Sequence, residues 1–428
     1  MSSQSAMNVK SIAVSNANNP LTVSLDIDSV RKDFPILQEK VYGRQLVYLD
    51  NGATSQKPRS VIDCVNDFHS KHNSSIHRGI HYLSEIMTEQ YEKARNKVQD
   101  FIHAKSSREI VFTSGTTGSI NGLAFSFGER YINPGDEIII SEMEHHANIV
   151  PWQMLCERKD AVLKILPVTE TGDLVMEDLE KLITRKTRLL CITHISNVLG
   201  TINPVAEIIR IAHRHEVPVL IDAAQSIQHV PVDVIALDCD FLVFSGHKMY
   251  GPTGIGILYG KERWLEELPP FQGGGDMVEV VTFEKTTYQD LPLKFEAGTT
   301  NFIGAIGMGV AIDYILSLGL ENIGAYEHEL LNYATVRLTE TGDIRIFGNS
   351  KHKSAIISFL IDHIHQMDAG MILDKMGIAV RTGTHCAQPL MQRYGIEGNI
   401  RASMALYNTK GEIDLLCQAI QKVKQMLG

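Results

Sequence analysis

No stretch of this 428-residue sequence stays apolar for the ~18 residues that a bilayer-spanning helix needs. The first thirty residues also lack the basic-then-apolar order of a secretory signal. Both absences point to a cytoplasmic chain with no membrane partner. Positive charge is short as well: 40 Lys and Arg face 50 Asp and Glu, for a formal net charge of -10. Phosphate backbones and anionic lipid require a dense positive footprint, so a general nucleic-acid surface is excluded. Cysteine is scarce, with six residues, no C-x-x-C pair and no staple-like clustering. The thiols are expected to be reduced, with neither a disulfide frame nor a metal site. Five of them lie in or beside apolar text such as Leu189-Leu190-Cys191-Ile192 and Leu415-Leu416-Cys417, where an inert buried thiol is the ordinary reading. Cys386, in polar and glycine-bearing surroundings, differs.

What is present is ordinary globular composition, 44% hydrophobic and 21% charged, in a chain long enough for two unequal domains. Residues 1–25 are rich in Ser and Asn and lack a period; they read as a flexible extension. Between Ser107 and Gly260, strand-like runs (Glu109–Thr113, Glu137–Ser141, Val162–Val168, Leu189–His194, Val217–Asp222, Asp240–Ser245) alternate with helical text. This alternation predicts an α/β domain built on a mostly parallel sheet, with ligands beyond the carboxyl ends of its strands. The large domain is expected over 26–300, with 26–45 packing against the smaller one. The smaller α+β domain is expected over 301–428, opening with a long helical pattern from Ile303 to Leu338. Gly273-Gly274-Gly275 reads as loop, and there is no internal repeat.

Three run-ends carry chemistry. Phe112-Thr113-Ser114-Gly115-Thr116-Thr117-Gly118 closes a strand and opens a helix, so free N–H groups, the helix dipole and hydroxyls can converge on a phosphate. Val219-Leu220-Ile221-Asp222 ends in a carboxylate, and Phe244-Ser245-Gly246-His247-Lys248 brings a lysine after the next run. Taken singly, the cup is a helix cap, Asp222 another cap and Lys248 a solvated amine. Together they fit pyridoxal 5′-phosphate (PLP): the lysine bonds to its aldehyde, and the aspartate keeps its pyridine nitrogen protonated.

From Ile27 to the C-terminus the chain resembles the SufS-type (group II) cysteine desulfurases, in the class V aminotransferase branch of the fold type I PLP enzymes. The matched segments are Tyr48-Leu49-Asp50-Asn51-Gly52-Ala53-Thr54, His77-Arg78-Gly79-Ile80-His81, Glu144-His145-His146-Ala147-Asn148, Asp222-Ala223-Ala224-Gln225, Ser245-Gly246-His247-Lys248 and Arg381-Thr382-Gly383-Thr384-His385-Cys386. The resemblance implies that Lys248 is the cofactor lysine, Asp222 the pyridinium partner, Gln225 the donor to the phenolic oxygen and His145 the ring-stacking imidazole. Thr116 or Thr117, Ser245 and His247 match phosphate ligands. Thr300 matches a residue that reaches that phosphate across a homodimer interface. Asn197, Arg381 and Arg401 match the grip on the substrate carboxylate, a task that suits the planar guanidinium fork. The sequence departs from the family at Thr384, where histidine is frequent, and at Gly52, where alanine is common.

The implied reaction takes sulfur from L-cysteine onto Cys386 as a persulfide and releases alanine, with Lys248 as base and His145 as proton shuttle. The persulfide would pass to a SufE- or SufU-like acceptor for iron–sulfur cluster assembly. The rival readings are a selenocysteine lyase or sulfinate-directed PLP lyase and, from another class, a non-catalytic PLP-binding scaffold. The scaffold is disfavoured because Lys248, Asp222, His145 and Cys386 are all present.

Overall fold

The computed structural model describes residues 25–428; apart from Leu25, the expectation for 1–25 lies outside them. Seven short apolar runs form one sheet: β1 (Ile110–Thr113), β2 (Glu137–Ser141), β3 (Val162–Leu166), β4 (Thr187–Thr193), β5 (Val219–Asp222), β6 (Phe241–Ser245) and β7 (Gly256–Gly260). Their order is β1-β7-β6-β5-β4-β2-β3. Every neighbouring pair is parallel except the two made by β7, which runs antiparallel to β1 and β6. β2, β5, β6 and β7 are buried along their whole length. Sheets covered on both faces need apolar residues at every position, which is why these segments read as runs and not as alternations.

Strand β7 is the one that the run pattern does not anticipate. Its first residue must be glycine: a Cβ on Gly256 would stand 2.5 Å from Cα of Gly115, in the turn after β1. The close approach seats β7 directly beneath that turn.

Helices α1 (Arg59–Asp67), α2 (Tyr82–Phe101) and α3 (Thr116–Tyr131) belong to the sheet domain. The helical pattern expected from Ile303 to Leu338 is made of two helices, α4 (Phe302–Leu318) and α5 (Leu320–Glu340), bent by 75°. Gly319, at φ 80, takes a left-handed turn that other residues adopt at a cost, and Asn322 closes it by donating to the Leu318 carbonyl. α4 packs on α2 and α1, against the sheet domain. The second core begins in α5, where Leu330, Leu331, Ala334 and Leu338 pack with a smaller sheet and with α6 (Lys410–Leu427). That sheet is antiparallel, with β8 (Ile344–Phe347), β9 (Ile356–Ile361), β10 (Arg381–Gly383) and β11 (Asn399–Ser403) in the order β8-β9-β11-β10. No single helix among the described residues is long and apolar enough to cross a membrane.

The first described residues tie the two parts together. Arg31 pairs with Glu412 at 2.9 Å, and the Phe34 ring lies 4.6 Å from that of Tyr407. Val47 and Tyr48 pair in parallel with Ile378 and Ala379. This brings the Asp50–Ala53 turn between the end of the large sheet and the face of the small one.

Candidate active site

A cavity of ≈ 230 Å³ opens where the carboxyl ends of β1, β4, β5 and β6 face β10 and β11. At its floor, Gly115 precedes α3 with φ 136, a geometry that turns the first N–H groups of the helix inward. Thr116 N–H donates to Ser245 Oγ at 2.8 Å, and the two hydroxyls are 2.8 Å apart. Thr117 and His247 line the same floor. Backbone N–H groups, a helix N-terminus and hydroxyls thus converge without a carboxylate among them, the donor set that suits a phosphate.

Lys248 follows β6 on a single turn of 3₁₀ helix. Burial pushes its ammonium down to about 8, while Asp222 opposes that shift and Arg401 adds to it. Asp222 closes β5; it is 4% exposed, accepts from Ala224 N–H at 2.9 Å and has its carboxyl pushed up by burial. Gln225 donates from Nε2 to the Gly52 carbonyl at 2.6 Å, and its Oε1 is buried with no hydrogen-bond partner. A buried orphan acceptor calls for a donor, whereas the resemblance gave Gln225 a donor role; turning the amide over exchanges the two atoms. His145 accepts the Ala147 N–H on Nδ1 at 3.0 Å, so its proton sits on Nε2. Burial, then Lys248 and His146, holds its pKa down at about 3, and the ring is neutral at working pH.

Opposite these residues, Cys386 is exposed, in contrast to Cys156, Cys191, Cys239 and Cys417, which are buried, and Cys64, which is half-buried. His385 and Cys386 are consecutive non-glycine residues at φ 52 and φ 56, a left-handed pair that costs of order 1–3 kcal/mol per residue and persists only where its surroundings impose it. The surroundings do so. Asn197 donates to the His385 carbonyl at 2.8 Å, His146 N–H donates to the Cys386 carbonyl at 2.7 Å, and Ala387 N–H closes back on Thr384 at 2.9 Å. The His385 ring is locked on Asn399 Oδ1 at 2.8 Å.

Two guanidiniums, the buried Arg401 and the exposed Arg381, share one carboxylate. Arg401 Nη2 donates to Asp50 Oδ1 at 3.0 Å, and Arg381 Nε to Asp50 Oδ2 at 3.3 Å. Arg401 Nη1 also donates to the Asn197 carbonyl at 2.9 Å, and its buried Nε has no partner. The excess of positive charge and the idle N–H suit a second, incoming carboxylate.

Cys386, Lys248, His145, Asp222, Gln225, Thr116, Thr117, Ser245, His247, Asn197, Arg381 and Arg401 therefore line one cavity. Thr300 does not; its hydroxyl donates to Tyr91 at 3.2 Å. Sequence reasoning assigned no role to Asp50, Glu144 or His146. Glu144 is fully buried, with its carboxyl pushed up to about 8 by burial, and it accepts from Asn148 Nδ2 and Thr193 N–H at 2.7 and 2.9 Å. It fixes the turn that presents His145. The signal for all three was their place in motif segments at strand ends.

Residues 47–416 match the family model described as Aminotransferase class-V. A cysteine desulfurase of Shigella sonnei (strain Ss046) is 50% identical over 407 residues, covering 95% of this chain and 100% of its own length. A cysteine desulfurase of Synechococcus elongatus is 48% identical over 411 residues, which cover 96% of this chain and 66% of that longer protein. Among solved structures, the cysteine desulfurase CsdA of Escherichia coli superposes with a TM-score of 0.88 at 38% identity, over 95% of this chain and 100% of that one.

Proposed function

The chain belongs to the class-V aminotransferase family, among the cysteine desulfurases with the fold of type I PLP enzymes, and from that premise we propose that it moves the sulfur of L-cysteine onto Cys386 and releases L-alanine. PLP fits the residues present: the buried Asp222, the lysine, the Gln225 amide and the anion cup all face one cavity. Asp222 would hold its pyridine nitrogen, Gln225 its phenolic oxygen, Lys248 its aldehyde, and Thr116, Thr117, Ser245 and His247 its phosphate. When bound, the cofactor supplies a sink for the electron pair left at the substrate's α-carbon.

The chain's own residues do the rest. Arg381 and Arg401, with Asn197, orient the substrate carboxylate. Lys248, depressed to about 8, has a substantial neutral fraction near pH 8 and acts as base on the α-proton. His145, neutral with its proton on Nε2, lies beside Lys248 as a ring face and N–H donor; its lowered pKa and the Ala147 N–H on Nδ1 count against the expected proton-shuttle role. The Cys386 thiolate attacks the substrate's sulfur. A sulfur–sulfur bond forms as the carbon–sulfur bond breaks, and the electron pair of the broken bond stays with the carbon, which takes up a proton.

The observation that carries this reading is the exposed Cys386 thiol in the same cavity as Lys248. Its exposure also suits delivery of the sulfur to a protein acceptor of the iron–sulfur assembly machinery in the cytoplasm. Thr300, resting on Tyr91, serves a second copy of the chain in a homodimer. The decisive experiment incubates the PLP-loaded protein with L-cysteine and a reductant. Sulfide and alanine should appear in equal amounts; pyruvate and ammonia in place of alanine would reject the desulfurase reading for a β-eliminating lyase.

A further inference from the structure

The loop that carries Cys386 belongs to the small domain, yet two of the hydrogen bonds that hold it come from one residue of the large domain. His146 donates its N–H to the Cys386 carbonyl at 2.7 Å, and its ring Nε2 accepts the Gln388 N–H at 3.1 Å. Both bonds fall just after the thiol, one on the carbonyl of the nucleophile's own residue and one at the first residue of the following Gln388–Arg393 helix. Accepting on Nε2 places the ring proton on Nδ1, and burial keeps the ring's pKa below its ordinary value.

The segment needs such a clamp. His385 and Cys386 are both left-handed without being glycine, and they follow closely on the end of β10, where Gly383 pairs with Asn399. Upstream, Asn197 holds the His385 carbonyl; downstream, the bonds from the large domain are those of His146. His146 is also the next residue after His145, whose ring lies 6.3 Å away, so the cofactor-side turn and the sulfur-side loop share one peptide.

We infer that His146 is a positioning residue that sets Cys386 at the distance and angle needed to attack the substrate's sulfur, by bridging the backbone of the Cys386 loop to the turn bearing His145. The inference rests on the desulfurase reading for its kinetic part. Its structural part stands apart from that reading.

The test uses the PLP-loaded protein and two variants. His146→Ala removes the ring acceptor; His146→Gln places an amide oxygen close to the position of Nε2 and restores it. In His146→Ala, hydrogen exchange over residues 384–390 should speed up several-fold while the visible absorbance of the cofactor is unchanged. Alanine formation from L-cysteine should fall about fivefold to tenfold in kcat, the size expected for one lost hydrogen bond, with KM nearly unchanged. His146→Gln should recover most of both. Parental exchange and parental kcat in His146→Ala would overturn the proposal, as would a glutamine variant as slow as the alanine one. If no protein in the set formed alanine, the desulfurase reading would fail, and the exchange data alone would still decide whether the clamp exists.

Discussion

Arg401, 2% exposed, donates from Nη2 to Oδ1 of Asp50 at 3.0 Å, so the most deeply buried cation of the cavity is held by a carboxylate from the turn that joins the two parts of the chain. Burial lowers its pKa and Asp50 opposes that shift, so the guanidinium stays charged and in place.

The first prediction follows from that fork. Arg401→Lys keeps the charge but cannot serve Asp50, the Asn197 carbonyl and a substrate carboxylate at once. KM for L-cysteine should rise about tenfold or more, with a smaller change in kcat. Steady-state alanine formation measures both, and an unchanged KM would remove Arg401 from substrate binding.

The second concerns pH. Lys248 in the cofactor-free protein is lowered from 10.5 to about 8 by burial. Between these values the unfolded chain takes up a proton that the folded chain does not. The group's contribution to stability therefore declines as pH falls from 10.5 towards 8 and levels off below. The same shift governs cofactor capture, which needs the neutral amine. The rate of PLP uptake, followed by visible absorbance, should rise about tenfold between pH 7 and pH 9, with its midpoint near the lysine's pKa. Asp222→Asn removes the anion that offsets burial and should move the midpoint lower. A pH-independent uptake rate would contradict the assignment.

The cup, Asp222 and Lys248 were legible because an α/β sheet puts its functional residues at strand ends, and each of these follows an apolar run by a few residues. The break at Gly319 was not: the apolar period continues through Leu318 and Leu320, and only the left-handed turn of Gly319 and the 75° bend reveal it. Strand β7 escaped notice because its role is to press Gly256 against Gly115, a contact that leaves no periodic trace. His146 and Gln388 are 242 residues apart, and no local pattern reports a hydrogen bond made by docking two domains. Thr300 illustrates another limit, since its expected role involves a second copy and its contact within one chain is to Tyr91.

The third prediction tests that corner of the fold. Glu296, 4% exposed, accepts two bonds from Arg95 at 2.6 and 2.9 Å, one from Tyr91 at 2.8 Å and one from Phe112 N–H at 2.8 Å. It ties α2 and β1 to the segment that leads to Thr300. Glu296→Ala removes the buried partner of Arg95, which keeps Glu92 and the Ile110 carbonyl, and leaves the Phe112 N–H unpaired; it should cost about 2–4 kcal/mol in urea unfolding. A loss below about 1 kcal/mol would mean that water or a relaxed Arg95 replaces the carboxylate.

The fourth separates cofactor binding from sulfur transfer. Cys386 is exposed, and what holds its loop is backbone: its carbonyl on His146, the His385 carbonyl on Asn197 and Ala387 on Thr384. Truncating the side chain leaves all three bonds in place, and alanine tolerates φ 56 no worse than cysteine does. Cys386→Ala should therefore melt within ~2 °C of the parent and take up PLP normally. Its sulfur nucleophile, however, acts only in the transition state of sulfur transfer, so its loss should lower kcat for alanine and sulfide from L-cysteine by about 100-fold or more, with KM little altered. Lys248→Ala should differ in kind: without the amine, the protein neither bonds the cofactor aldehyde nor removes the α-proton, and both absorbance and turnover disappear. Stopped-flow absorbance with L-cysteine, paired with sulfide release, distinguishes the two variants. Parental sulfide release by Cys386→Ala would show that sulfur leaves without a thiol acceptor on the enzyme, and the exposed cysteine would then have to act only after the carbon–sulfur bond is broken.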